Sequence, residues 1–274
     1  MNHPYKHADI LRYMQAIAPE ESAEDWDHVG LMVGNPEEAL TGVVLSLDCT
    51  MEAIQVCLRE NANLLITHHP LLFDPIQCVD PRTEKGRLLY PLIQNNITVY
   101  SSHTNLDRAP GGVNDVLATR LGLTRQRTLS DHLIGVLGEQ VPEKLLSEFA
   151  LSAQSVLAGA AFFTNTITDK IVRSVFVLGG AFDEDCIPRL REEKVDLVMS
   201  GEIHHHHMLE LAAYGIAALA MGHDVTERVV LPELASRLRE NFPGVGVATE
   251  MGLDYNSGVF RASRTIAGTK GSSV

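Results

Sequence analysis

The sequence lacks most of the features that place a protein quickly. Its 274 residues include only four cysteines, Cys49, Cys57, Cys78 and Cys186, and none form a C-x-x-C pair. That excludes a disulfide frame or zinc knuckle and leaves small, reduced residues in or near a core. No apolar run approaches the roughly 18–20 residues of a membrane-spanning helix, and Met1 to His7 carries no apolar signal segment. A cytoplasmic protein without membrane association is therefore expected. Aromatic residues make up 5%, with one tryptophan, Trp26. Cationic residues are also scarce: 22 Lys and Arg stand against 35 Asp and Glu, for a net charge of −13. With no basic run, nucleic acid is not expected as a partner. There is no G-x-x-x-x-G-K-[ST], no G-x-G-x-x-G after a strand and no G-x-S-x-G, which removes P-loop, Rossmann and α/β-hydrolase chemistry.

What the chain does have is an ordinary globular composition, 45% hydrophobic and 21% charged, and an alternation of short apolar runs with helical periods. His7 to Ile17 repeats apolar residues at helix spacing. Gly42–Leu47, Leu64–Thr67 and Ile97–Ser101 read as buried strands, with a helix from Met51 capped by Asp48 or Thr50. A second series follows: Val172–Leu178, Asp196–Ser200 and Ile216–Ala220. Leu133–Leu137 reads as a further strand, Glu143–Leu157 as a helix, and Arg228–Glu240 as another. Strands alternating with helices predict two similar α/β domains with mostly parallel sheets. The polar stretch Thr124 to Thr128 suggests a boundary, giving a first domain over 1–127 and a second over 128–264. The last helix and strand of the second domain are placed to pack back on the first. Residues 265–274 read as a disordered tail.

The twelve histidines are the unusual feature. His68-His69 ends one predicted strand. His103 precedes Asp107 by four residues after another, and His223 precedes Glu227 by four after a third. His204 to His207 follows Ser200-Gly201-Glu202. The matched spacings suggest an internal duplication. In parallel α/β sheets the loops at the carboxyl ends of strands form the ligand crevice, so these segments point to one edge. Imidazole nitrogens and carboxylates are the donors that divalent metals select. Adjacent histidines diverge, so His68 and His69 could hold different ions, and Glu227 could bridge them. Against this, a carboxylate near a histidine often only orients its ring. His3, His7 and His132 read as ordinary surface or core residues. The His204–His207 run reads equally as cleft lining or a solvated helix start. Gly111-Gly112 and Gly179-Gly180 read as turns before phosphate cradles, and Trp26 as a packing anchor.

Several segments together resemble one family: Asp27-His28-Val29-Gly30-Leu31-Met32-Val33-Gly34, Thr67-His68-His69-Pro70, Ser102-His103-Thr104-Asn105-Leu106-Asp107, Ser200-Gly201-Glu202 and Gly222-His223-Asp224-Val225-Thr226-Glu227. It is the NGG-interacting-factor-like family, also labelled GTP cyclohydrolase 1 type 2 homologue. The resemblance implies two related α/β domains with a dinuclear metal site in the cleft between them, commonly assembled as a homohexameric ring. It implies metal ligands at His68, His69, Asp107, His223 and Glu227. His68 and Asp107 would hold one ion, His69 and His223 the other, with Glu227 bridging. His103, His205 and His206 would line the cleft as candidate catalytic residues. Two divalent ions per chain are implied, with iron, zinc or manganese all compatible. The implied activity is a metal-dependent hydrolase acting on a small molecule such as GTP or another nucleotide. The alternative classes are a regulatory or interaction protein with structural or sensing metals, and a metal chaperone. The chain departs from the family at His28, where Asn is usual, at Asp224, and at His204, where Lys is usual. None of these removes an implied ligand.

Overall fold

The computed structural model describes residues 5–130, 132–157 and 162–252; the expected tail at 265–274 lies outside them. The chain runs through helix α1 (His7–Ile17), strands β1 (Gly30–Val33) and β2 (Gly42–Ser46), α2 (Met51–Arg59), β3 (Leu64–Thr67), α3 (Glu84–Gln94), β4 (Thr98–Ser101), the short α4 (Thr104–Arg108) and α5 (Val113–Arg120). Strands β5 (Thr124–Arg127) and β6 (Val136–Leu145) and helix α6 (Leu146–Val156) follow. The second alternation is β7 (Phe163–Thr164), β8 (Ile171–Ala181), α7 (Ile187–Glu192), β9 (Leu197–Glu202), α8 (His205–Ala213), β10 (Ala217–Ala220), the short α9 (His223–Glu227) and α10 (Val230–Asn241), ending in β11 (Gly246–Thr249).

These strands build two sheets. The first has the order β1-β4-β3-β2-β11, all parallel except the edge strand β1. The second has the order β5-β6-β8-β9-β10-β7, with β8, β9 and β10 parallel and the outer strands antiparallel. The parallel strands β2, β3, β4 and β10 are buried along their whole length. That is why β2, β3 and β10 read as mostly apolar runs and not as alternations, while β4, equally buried, keeps the polar Thr98 and Ser101. The α2 start is fixed by Thr50, whose hydroxyl accepts the Ala53 N–H at 3.1 Å.

The two sheets repeat one plan. Each has three parallel strands joined by helices, an antiparallel strand added beside the third (β1 on β4, β7 on β10), and a short helix following that third strand. The repeat corrects one expectation. Thr67 pairs with Ser101 in the first sheet and Ser200 with Ala220 in the second. Two residues further on, His103 caps α4 and Gly222 caps α9. The residue matching His103 is therefore Gly222, not His223, and the two His-x-x-x-acid spacings are offset by one position.

The helices at the end of each repeat change sides. Leu117 and Ala118 of α5 lie in the core that holds Phe149, Val175 and Leu197 of the second sheet's layer. Leu231, Leu234 and Leu238 of α10 lie in the core that holds Ile10, Met14 and Leu45 beside the first sheet. Val113, at the start of α5, also belongs to that first core. The polar stretch Thr124–Arg127 is itself a strand. Its four residues are all exposed at the edge of the second sheet, so they carry no apolar pattern.

Candidate metal centre

The cluster forms where the carboxyl ends of β3, β4, β8 and β10 meet. His68 and His69 leave β3, Asp107 sits in α4, and His223 and Glu227 sit at the two ends of α9. The side chain of Glu227 is only 4% exposed. Its Oε2 lies 3.1 Å from His69 Nε2, and its Oε1 lies 3.2 Å from His223 Nε2 and 3.6 Å from His68 Nε2. On its other flank His68 Nε2 is 3.6 Å from Asp107 Oδ1. His103 joins from the N-cap of α4, its ring centroid 5.1 Å from that of His68 and 5.5 Å from that of His69. The ligand atoms of His68, His69 and His103 lie within 4.8 Å of one another, as do those of His69, His223 and Glu227.

Each ring is held from behind. His68 Nδ1 faces the Ser102 carbonyl at 2.9 Å, His69 Nδ1 faces Asp48 Oδ1 at 2.9 Å, and His103 Nδ1 faces Asp27 Oδ1 at 2.9 Å. His223 Nδ1 faces Glu202 Oε2 at 3.4 Å. A carbonyl or carboxylate can only accept, so Nδ1 of His68, His69 and His103 carries a hydrogen and Nε2 of each is turned toward the centre. This is the support that metal-binding histidines receive from their outer partners.

The donors aimed inward have no other occupation. His68 Nε2, His69 Nε2, Asp107 Oδ1 and Glu227 Oε2 are buried and make no hydrogen bond of good geometry. Buried polar atoms rarely stay unpaired, and four of them converging among imidazoles and carboxylates fit a bound metal. In the ion-free chain, protons and mutual attraction balance the charge instead. Burial opposes ionisation of Glu227, but His68, His223 and His69 more than offset it and hold its carboxyl well below the usual range. Burial pushes Asp107 up, and the nearby Glu227 charge adds to that. Burial lowers His69, but Asp48 and Glu227 overcome it and raise the imidazole to about 10.

The cluster opens on a cleft of about 690 Å³. One wall is Glu24, Trp26, His103 and Asp107; the other runs along the end of β8 to Asp185, with His223 and Glu227 in its floor. Trp26 is 56% exposed at this mouth and not a packing anchor. His205 and His206, expected to line the cleft, stand apart from it. Both are exposed in the first turn of α8, and neither is among its lining residues. Their neighbour His207 is the buried one, with Nε2 3.4 Å from Glu184 Oε2.

Four supporting residues carried no assigned role in the sequence. Asp27 accepts from Thr104 N and Thr104 Oγ1 as well as facing His103. Asp48, weighed only as a helix cap, backs His69 while Thr50 does the capping. Ser102 orients His68 through its carbonyl. Gly180 has φ of +68°, and a side chain there would collide with the Glu227 carboxylate. The other glycine pair is a turn: the Gly111 N–H is taken by Asp115 Oδ2 at 2.7 Å. Of the cysteines, Cys49, Cys57 and Cys186 are buried, but Cys78 is exposed. No helix among the described residues is long and apolar enough to cross a membrane.

Two repeated α/β units with histidines and carboxylates converging between their strand ends define a fold built around a site able to hold metal. Comparison with known proteins gives the family. The Duf34/NIF3 (NGG1p interacting factor 3) family model matches residues 5–253, and the chain belongs to that family. It is 31% identical over 238 residues to a Clostridium perfringens protein named GTP cyclohydrolase 1 type 2 homolog, covering 85% of this chain and 90% of the relative. A Clostridium acetobutylicum protein of the same name is 29% identical over 256 residues, covering 91% and 95%. The crystal structure of Staphylococcus aureus protein SA1388 shares the fold, with a TM-score of 0.85 at 23% identity, covering 92% of this chain and 98% of that one.

Proposed function

We propose that this chain is a hydrolase dependent on two divalent ions, such as iron, zinc or manganese. His68 and Asp107 would hold one ion, His69 and His223 the other, and Glu227 would lie between them. The observation that carries the reading is the set of buried, unpaired donor atoms facing an open cleft. A purely structural metal site closes around its ion, whereas a catalytic one keeps an approach free. Bound at such a site, a metal pair polarises a carbonyl or phosphoryl oxygen and makes water a nucleophile near neutral pH.

The chain's own groups supply the rest. Asp27 fixes the His103 tautomer, so that Nε2 faces the cleft as a proton acceptor. In hydrolysis the water oxygen bonds to the electrophilic carbon or phosphorus. His103 takes the water's proton and returns it to the leaving nitrogen or oxygen. His69 Nε2 and His223 Nε2 lie 3.1 Å and 3.2 Å from the Glu227 carboxylate and hold it in place. The relatives' name points to a small, nucleotide-like substrate such as GTP. By the same family resemblance the working form is a homohexameric ring in the cytoplasm, which sedimentation velocity tests for assembly.

The activity test is turnover of a panel of nucleotides, phosphoesters and cyclic amides by the protein as purified, beside Glu227→Gln and Asp107→Asn. Turnover lost in both variants, with folding retained by circular dichroism, supports the hydrolase. Turnover that survives both variants, or none in the parent, overturns it.

A further inference from the structure

The His204–His207 run takes no part in the centre described above, yet three of its four rings are gathered. His204 caps α8 and His207 stands three residues further on, over the same face of the helix. Their ring centroids are 5.7 Å apart. The His206 ring lies 3.9 Å from that of His207 and 5.7 Å from that of His204. The rings of the main centre are spaced similarly: His68, His69 and His103 lie 5.0, 5.1 and 5.5 Å apart. His205 makes no ring contact with the other three among the described residues.

The surroundings of His207 are those of a ligand and not of a solvated helix start. The residue is 5% exposed, and its Nδ1 is buried without a hydrogen-bond partner. Buried polar atoms rarely stay unpaired, and the same signature marks His68 and His69. On the other side of the ring, Nε2 lies 3.4 Å from Glu184 Oε2, the kind of outer carboxylate that stands behind metal-binding imidazoles. The Phe182 ring packs against it, 6.0 Å away between centroids. Phe182 and Glu184 also line the 690 Å³ cleft, so the cluster sits directly behind that wall. Its donor atoms have not converged as those of the main centre have. His204 and His206 are exposed, however, and exposed side chains change rotamer within nanoseconds, so both are free to turn toward the fixed His207.

We propose that His204, His206 and His207 form a second divalent-metal site, separate from the main centre, for an ion that favours nitrogen ligands, such as zinc or nickel. Imidazoles bind metal in the neutral form, so this site supplies no negative charge, whereas the main centre offers the carboxylates of Asp107 and Glu227. The ion held here is therefore the weaker-bound and more readily exchanged one. The inference does not depend on the hydrolase reading.

The test is equilibrium dialysis of the protein as purified against rising zinc, with zinc per chain measured by mass spectrometry. The samples are the parent, His204→Ala, His205→Ala, His206→Ala and His68→Ala/His223→Ala. The parent should take up one further ion per chain beyond the metal it holds tightly. His204→Ala and His206→Ala should each weaken that further ion about tenfold or more, since losing a ligand costs at least what losing an outer partner does, and should leave the tightly held metal unchanged. His205→Ala should bind it as the parent does, because its ring stands apart. His68→Ala/His223→Ala should lose the tightly held metal and keep the further ion. The proposal is overturned if the parent takes up no further ion, or if His204→Ala and His206→Ala bind it as well as the parent. It is equally overturned if His205→Ala weakens it as much as they do, which would mark adventitious binding by a run of histidines. A failed main centre shows differently: no tightly held metal in the parent, with the further ion still bound.

Discussion

Glu227 Oε2 lies 3.1 Å from His69 Nε2, although one residue ends a helix against the second sheet and the other follows a strand of the first. Neither has a hydrogen-bond partner of good geometry at that atom. The contact joins the two repeats.

Metal content follows directly. Protein purified without added metal or chelator should carry about two divalent ions per chain, as a paired site of this donor set requires. His68→Ala/His223→Ala should carry well under one. Mass spectrometry of metals on matched samples decides it, and equal content in both would remove the ligand assignment.

Metal uptake should release protons. In the ion-free chain His69 is raised to about 10, so it holds a proton at neutral pH that a metal must displace. Affinity should therefore climb as pH rises toward that value and fall as pH drops. Calorimetry in buffers of different ionisation enthalpy should find about one or more protons released per chain. A buffer-independent heat would refute this.

Asp27→Asn should leave metal content unchanged and lower kcat roughly 10- to 100-fold with little change in KM, because an amide no longer fixes the His103 ring as the carboxylate does. It also has a stability signature. Burial opposes ionisation of Asp27, but His103 and Thr104 hold its carboxyl far below the usual range. A depressed folded-state value stabilises the fold above the unfolded value of about 3.9 and loses that contribution as pH falls below it. Melting temperatures of parent and variant should differ at neutral pH and converge in acid.

Two glycines form a matched pair. Gly180 and Gly215 both have left-handed backbones, at +68° and +74°, but a Cβ at Gly215 meets nothing within 4 Å while one at Gly180 strikes Glu227. Gly215→Ala should cost only the backbone term, about 1–2 kcal/mol. Gly180→Ala should cost more and also strip metal, read by melting and metal content on the same preparations.

The sequence was most informative where one physical rule acted alone. β2, β3 and β10 read as strands because burial on both faces leaves mostly apolar residues, with Ser46 and Thr67 only at the ends. His68, His69, His103 and His223 read as a cluster because each follows a strand end, and parallel strands gather those ends. What stayed hidden depends on distant partners. β5 is four exposed polar residues that become a strand only by pairing with β6. α3 carries Pro91 inside it, which breaks the local signal of a helix. Asp27 and Asp48 look like any loop acids until the fold places them behind His103 and His69. The His204–His207 run misled in the other direction, since adjacency in sequence put His205 and His206 on the outside of α8. Matched spacing misled too, because counting residues cannot detect a one-position offset between repeats.

The exchange of α5 and α10 between the two cores makes the repeats interlock like clasped hands. A single cut in the connection near Thr128 would not release two modules, because each fragment would still have a helix seated in the other's layer. Either half produced alone would leave an apolar groove where the borrowed helix belongs. The two walls of the cleft are thereby tied to each other from behind, through the cores that α5 and α10 share.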